Sequence, residues 1–343
     1  MSMHRILFQL SPERAHRVAM SSLEVALGTP GVGGAIRRRA RPGASLERSL
    51  FGKTFAHPVG LAAGFDKNAR HVLALEALGF GFVEIGSVTA QPWAGNPSPR
   101  LFRLPADRAL INRMGLNNEG AEAIARRLES VRDRVSIPVL VNVAKTPDPS
   151  LEGDAAITDY VSSVRRMRGL ADAIVLNVSC PNSGDGRTFE DAELLSRLLQ
   201  AVRPLLDSPR VPLLAKISAD LSDEGIADVV RVGMEAEVDG FVMSNPTIHR
   251  DALVHTSAER VDAIGAGGMS GAPLHARAVD GVRRLSAEVQ GRVPIIGVGG
   301  VEDAASASDM LAAGASLVEL YTGFVYGGPF VVRSIVEGLA EVQ

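Results

Sequence analysis

Ala173-Ile-Val-Leu-Asn177-Val-Ser-Cys180-Pro-Asn182 is an apolar run that ends in a polar corner. The run reads as a buried strand, and Pro181 followed by Asn182-Ser-Gly-Asp-Gly186 is loop chemistry that stops it. Two carboxamides and the single cysteine of the chain therefore share one strand-to-loop corner. Carboxamides donate and accept hydrogen bonds, which suits a planar polar ligand. A thiol, with a reference pKa of about 8.5, can move a proton near neutrality. Taken alone, a lone cysteine is more readily a small buried hydrophobe.

Working outward, the same pattern recurs at 59–63, 82–86, 139–143, 213–217, 240–244, 295–298 and 317–320. Helical stretches are expected between most of these, at 69–78, 119–131, 157–168, 192–206, 224–236 and 303–313. Eight strands alternating with helices predict the α/β class and a (β/α)8 TIM barrel. A doubly wound open sheet is the alternative, but it has fewer strands and a Gly-rich first turn. The first 45 residues differ. Met3-His-Arg-Ile-Leu-Phe-Gln-Leu10 is a short amphipathic piece, and Ser11-Pro12-Glu13 starts a helix with a capping hydroxyl and a proline. Ala15, Val18, Ala19, Ser22, Leu23 and Ala26 would form its weak apolar face, and Gly28 and Pro30 end it. Residues 1–45 are thus expected as a two-helix appendage, and 46–343 as the barrel. Arg37-Arg-Arg-Ala-Arg41 reads as a basic loop, whose plain explanation is a solvated face.

Composition excludes several classes. The net charge of −3 argues against a general nucleic-acid binder. One cysteine among 343 residues rules out a disulfide framework and a CxxC metal site. No apolar run reaches membrane-span length, and no signal peptide is evident. The chain has no HExxH, no GxSxG and no GxGxxG opening a βαβ unit, so a nicotinamide dinucleotide site is not expected.

Barrel chemistry sits at the C-terminal ends of the strands. Two groups gather there. Gly299-Gly300 and Tyr321-Thr322-Gly323 follow strands seven and eight, where barrels commonly bind phosphate through N–H groups and a helix N-terminus; Gly267-Gly268-Met269-Ser270-Gly271 could add a loop. The second group is Lys67, Asn112, Asn142, Asn177, Asn182, Lys216 and Asn245. So many amide and ammonium groups at one mouth imply a polar ligand, since a buried polar group without a partner costs about 1–3 kcal/mol. Lys216, within Leu-Leu-Ala-Lys-Ile, either stabilises a developing negative charge, as a reduced flavin would need, or belongs to a core ion pair.

With these residues in view, the chain resembles the dihydroorotate dehydrogenase family, specifically its class 2, quinone-linked, membrane-associated branch. The resemblance spans nearly the whole chain. It rests on Phe8-Gln-Leu-Ser-Pro-Glu-Arg-Ala-His16, Gly60-Leu-Ala-Ala-Gly-Phe-Asp-Lys67, Pro99-Arg-Leu-Phe-Arg-Leu104, Ile111-Asn-Arg-Met-Gly-Leu-Asn-Asn118, residues 177–182 and Ile295-Ile-Gly-Val-Gly-Gly300. It implies FMN held by Ala63, Gly64, Lys67, Ser87, Asn142, Asn177, Lys216, Ser244, Gly271, Gly300, Tyr321 and Thr322. It implies dihydroorotate held by Lys67, Asn112, Arg113, Met114, Gly115, Leu116, Asn177, Asn182, Asn245 and Pro246. Cys180 would be the base and Lys216 its catalytic companion. His16 and Arg103 would line a quinone tunnel in an appendage resting on the cytoplasmic face of the cell membrane, with no metal. Four places depart from the class 2 pattern: Cys180 where serine is usual, Leu116 where phenylalanine is usual, Pro246 in place of a hydroxyl residue, and Ala144-Lys-Thr-Pro147 in place of a Gly-Lys-Asn-Lys run. They leave open an FMN oxidoreductase of the same family with another small cyclic or unsaturated substrate. A phosphate-binding barrel without flavin is a more distant alternative.

Overall fold

The computed structural model describes residues 8–179 and 189–342. Eight parallel strands close into a barrel: Val59–Leu61, Val83–Val88, Val139–Val143, Ala173–Asn177, Leu213–Ser218, Gly240–Asn245, Ile295–Val298 and Leu317–Leu320. The last pairs with the first, so no edge is left open. The expected (β/α)8 barrel is therefore present, with strand ends shifted by at most two residues.

Strands buried on both faces need apolar residues at nearly every position. Outward side chains such as Val83, Ile85, Val141, Ile174 and Leu176 pack under the helices. Inward ones, Phe82, Leu140, Leu214, Val242, Ile296 and Leu317, meet around the barrel axis. Phe82 fills that axis so closely that a Cβ on Gly60 would lie 2.3 Å from its ring. A hairpin of Arg48–Leu50 and Lys53–Phe55 closes the N-terminal end, its Phe55 ring edge-on to Phe82 at 5.4 Å between centroids.

Several features escaped the sequence, the hairpin just described and the helices Ala258–Ile264 and Val331–Val342 among them. A helix, His275–Val289, links strands six and seven. Residues expected as loops form an antiparallel sheet, in which Ala109–Asn112 pairs with both Leu101–Leu104 and Gly268–Gly271. Strands of four residues are too short to show a period, and their partners lie far apart in the chain. This sheet walls one side of the barrel mouth.

Helices Pro12–Gly28 and Val32–Ala40 form the two-helix appendage. The buried face of the first differs in part from the expectation: Ala15 and Leu23 turn inward as expected, Met20 and Leu27 join them, and Val18 and Ser22 face solvent. Met20 and Leu27 are larger than the residues left outside, so burying them gains more. Arg37, Arg38 and Arg39 form the last turn of the second helix, not a loop, where cations suit the C-terminal dipole. The first helix is tied to the barrel by Glu13 Oε1, which accepts from Arg100 Nε at 3.0 Å and Nη2 at 2.9 Å. Glu24 meets His71 Nδ1 at 2.6 Å. Among the described residues, no helix is long and apolar enough to cross a membrane.

Candidate active site

Side chains alternate along a strand, so residues two apart share a face. Two residues above the apolar layer, the barrel interior turns polar. Glu84 follows Phe82, Asn142 follows Leu140, Lys216 follows Leu214 and Glu319 follows Leu317. All four are at most 4% exposed. Lys216 Nζ donates to Glu84 Oε2 at 2.7 Å, and Asn142 Nδ2 donates to Glu84 Oε1 at 2.6 Å. Burial alone would push the Glu84 carboxyl up, but the Lys216 charge and these hydrogen bonds bring it below its ordinary value. Burial alone would lower Lys216; Glu84 and Glu319 together hold it above its usual range. Lys216 forms the core ion pair that was one of its two readings, and it also lines the cleft above.

Above this floor opens a cleft of about 1110 Å³, its mouth included. The ends of several strands furnish its walls. Asn177 Nδ2 donates to Ser87 Oγ at 3.2 Å, and Asn245 Nδ2 donates to Asn177 Oδ1 at 2.7 Å and Ser179 Oγ at 2.8 Å. The Tyr160 hydroxyl bonds the Asn177 carbonyl at 2.7 Å, fixing the end of the fourth strand from behind. Lys67 Nζ donates to the Gly64 carbonyl at 2.5 Å. Burial pushes its ammonium down to about 8, against the opposing pull of Glu13. Ala63, Ser244 and Pro246 line the same cleft, as do Asn112, Met114, Gly115 and Leu116 from beside the small sheet.

At the other end of the cleft lie Gly271, Gly300, Tyr321, Thr322 and Gly323. Gly271 and Gly300 have φ of +103° and +67°. A Cβ on the first would lie 2.3 Å from the Arg108 carbonyl, and on the second 2.5 Å from His275 Cβ. Only glycine fits there, which keeps N–H groups open to an anion. Ser270 and Thr322 share a hydroxyl hydrogen bond of 2.8 Å at this end. The helix that follows, Thr322–Gly327, has six residues, so the helix dipole expected from the sequence contributes little. Burial raises the Tyr321 phenol to about 12.

Other sequence expectations fall elsewhere. Asn142 lies under the cleft, with its Oδ1 buried and unpartnered. Arg113 turns away: its guanidinium reaches the Ile264 and Ala266 carbonyls and covers the Phe102 ring at 4.6 Å. His16 lies on the barrel-facing side of the first helix, edge-on to Phe65, and burial lowers it to about 4. Arg103 stacks on Phe8 and donates to the Leu10 carbonyl. Cys180 and Asn182 lie outside the described residues. Sequence reasoning missed Glu84 and Glu319, although each is an acid inside an apolar strand run, in step with Lys216. Among the described residues no acidic, histidine or cysteine cluster could hold a metal ion.

Comparison with known proteins adds a family. The family model described as dihydroorotate dehydrogenase matches residues 45–342. A dihydroorotate dehydrogenase (quinone) of Thermobifida fusca is 48% identical over 343 residues, covering 99% of this chain and 91% of that protein. One from Rhodococcus erythropolis is 46% identical, covering 98% and 92%. Among solved structures, the dihydroorotate dehydrogenase of Eimeria tenella in complex with ferulenol superposes with a TM-score of 0.85 at 33% identity, covering 98% of this chain and 94% of its own.

Proposed function

The chain belongs to the dihydroorotate dehydrogenase family, and from that premise we propose how its residues divide the reaction. The enzyme is flavin-dependent and oxidises dihydroorotate to orotate, with a quinone as the final acceptor. We read the flavin as FMN. The observation that carries this is one cleft with a glycine-lined anion pocket at one end and the Lys216–Glu84 pair under its middle. The residues present fit that group: the glycines leave room for one phosphate, and the carboxamides and Lys216 suit a flavin's polar ring edge.

Gly271, Gly300, Tyr321 and Thr322 hold the phosphate end. Ala63, Gly64, Ser87, Asn142, Asn177, Lys216 and Ser244 hold the ring, with Lys67 at its edge. When bound, the flavin would supply the hydride-accepting and electron-relaying chemistry that links the substrate to the quinone. Lys216 supplies positive charge where negative charge develops. Lys67 meets the substrate carboxylate, and Asn112, Asn177, Asn182 and Asn245 bind its amide and carbonyl groups. Cys180 takes the proton from C5 of the substrate as C6 gives up its hydride. Met114, Gly115, Leu116 and Pro246 shape the substrate end, while the contacts of Arg113 fit a strap that braces this wall.

Residues 1–45 act as a quinone-delivery unit on the barrel formed by 46–343, with His16 and Arg103 along the route. Val18, Val25 and Val32 are exposed apolar residues on these helices, and Val18 and Val25 lie two turns apart. The nearby Arg37, Arg38 and Arg39 favour anionic lipid headgroups, which supports peripheral attachment at the cytoplasmic membrane face.

The test is anaerobic. Dihydroorotate should bleach the yellow protein, and a quinone should restore the colour faster than fumarate or NAD. Cys180→Ala should keep the flavin and lose the bleaching; bleaching at the original rate would remove Cys180 from the mechanism. A colourless protein that stays colourless with added FMN would sink the FMN reading.

A further inference from the structure

The barrel floor holds an odd charge. Glu84, Lys216 and Glu319 come from the second, fifth and eighth strands, and their side chains are 0%, 4% and 0% exposed. Two carboxylates facing one ammonium would leave a net negative charge buried, which costs several kcal/mol per ion. The two acids are not equivalent. Glu84 takes short hydrogen bonds from Lys216 and Asn142. Glu319 lies 3.6 Å from Lys216 Nζ and beside the Glu84 carboxylate, and no donor satisfies either of its oxygens. The flanking strands Ile295–Val298 and Val59–Leu61 bring no titratable side chain to it. Above, Tyr321 stays a neutral phenol. Glu319 also lines the cleft.

We propose that Glu319 carries a proton at neutral pH, which makes the barrel floor electrically neutral and positions Lys216 as a balanced ion pair beneath the flavin ring. Burial and the neighbouring Glu84 charge both push the Glu319 carboxyl well above the usual carboxylate range. A protonated carboxyl is also a hydrogen-bond donor, and the Glu84 carboxylate beside it is an acceptor for that proton. An ionised Glu319 would instead make the floor negative and oppose the negative charge that a flavin gains on reduction. The effect on the flavin rests on the reading given under Proposed function; the proton itself does not.

Infrared difference spectroscopy tests the proton without any flavin. Wild type minus Glu319→Gln should contain the carbonyl stretch of a neutral carboxylic acid at pH 7. A carboxylate band there instead would overturn the proposal. In Glu84→Gln the same acid band should vanish, because Lys216 then draws its counter-charge from Glu319; its persistence would equally count against a Glu319 proton set by charge balance on the floor. Reductive titration of the flavin-loaded enzyme reads the consequence. Glu319→Gln should leave the flavin midpoint potential at pH 7 unchanged, because one neutral group replaces another. A rise in potential would mean that a negative charge had been removed, and would refute a neutral Glu319. If the protein holds no flavin, the FMN reading fails while the infrared arm still decides the proton.

Discussion

Phe82, Leu140, Leu214 and Leu317 differ from Glu84, Asn142, Lys216 and Glu319 by two residues along four strands. Both sets point into the same barrel. The lower set is closed by Phe55 and packs as hydrocarbon; the upper set holds an ion pair, an amide and a second acid. Stability does not call for the upper set. Replacing a buried ion pair by well-packed apolar residues is often neutral or stabilising by about 1–4 kcal/mol. The polar layer lies where the strands end at the cleft, beneath the ligand proposed for it.

Breaking the upper layer should have the largest effect. Lys216→Met strands the Glu84 carboxylate and should cost about 3–5 kcal/mol of stability, measured by urea unfolding, together with about a hundredfold or more in the rate of flavin reduction. Making all three positions apolar, with Lys216→Met, Glu84→Leu and Glu319→Leu, sharpens the contrast. Most of the stability should return while flavin reduction stays lost.

Breaking the lower layer should do the reverse. Phe82→Ala empties the barrel axis and should cost about 3–5 kcal/mol, with little change in KM for dihydroorotate. A comparable change in KM would mean that the two layers are coupled.

The two ends of the barrel should also answer pH differently. At the lower end, His57 Nε2 faces the Gly79 carbonyl at 2.9 Å, and Nδ1 accepts from the Val59 N–H at 3.3 Å. That arrangement needs a neutral ring, and burial lowers its pKa to about 4. The unfolded ring titrates near 6.5. The stabilisation is therefore complete above about pH 6.5 and is lost as the pH falls toward 4, to the extent of about 3 kcal/mol. Unfolding curves for wild type and His57→Gln should converge across that window. At the upper end, Lys67 loses its proton above about pH 8. KM for dihydroorotate should then rise by up to about tenfold per pH unit, with the midpoint displaced in Lys67→Arg.

The strand count, the order of the elements and most of the cleft were legible in the sequence, because a parallel barrel writes its strands as apolar runs and its chemistry at their C-terminal ends. Asn177, Lys216 and Gly300 could be read from position alone. Arg113 could not: it lies within a run of cleft residues, yet its guanidinium folds back onto the carbonyls of a distant segment. The inner face of the first helix was only partly legible: Ala15, Ala19, Leu23 and Ala26 are wholly or partly buried as expected, but the surface beneath also takes Met20 and Leu27 and leaves Val18 and Ser22 outside. Glu84 and Glu319 were visible as acids in apolar strands, but nothing local tells a buried acid facing the axis from one facing a helix. By itself, then, the sequence determined the barrel, its mouth and the residue types available there, through short-range period and strand-end position. The tertiary structure alone decided that residues 84, 216 and 319, from three strands far apart in the chain, meet on the axis. Charge balance among buried groups depends on closing the barrel, and no local pattern encodes it.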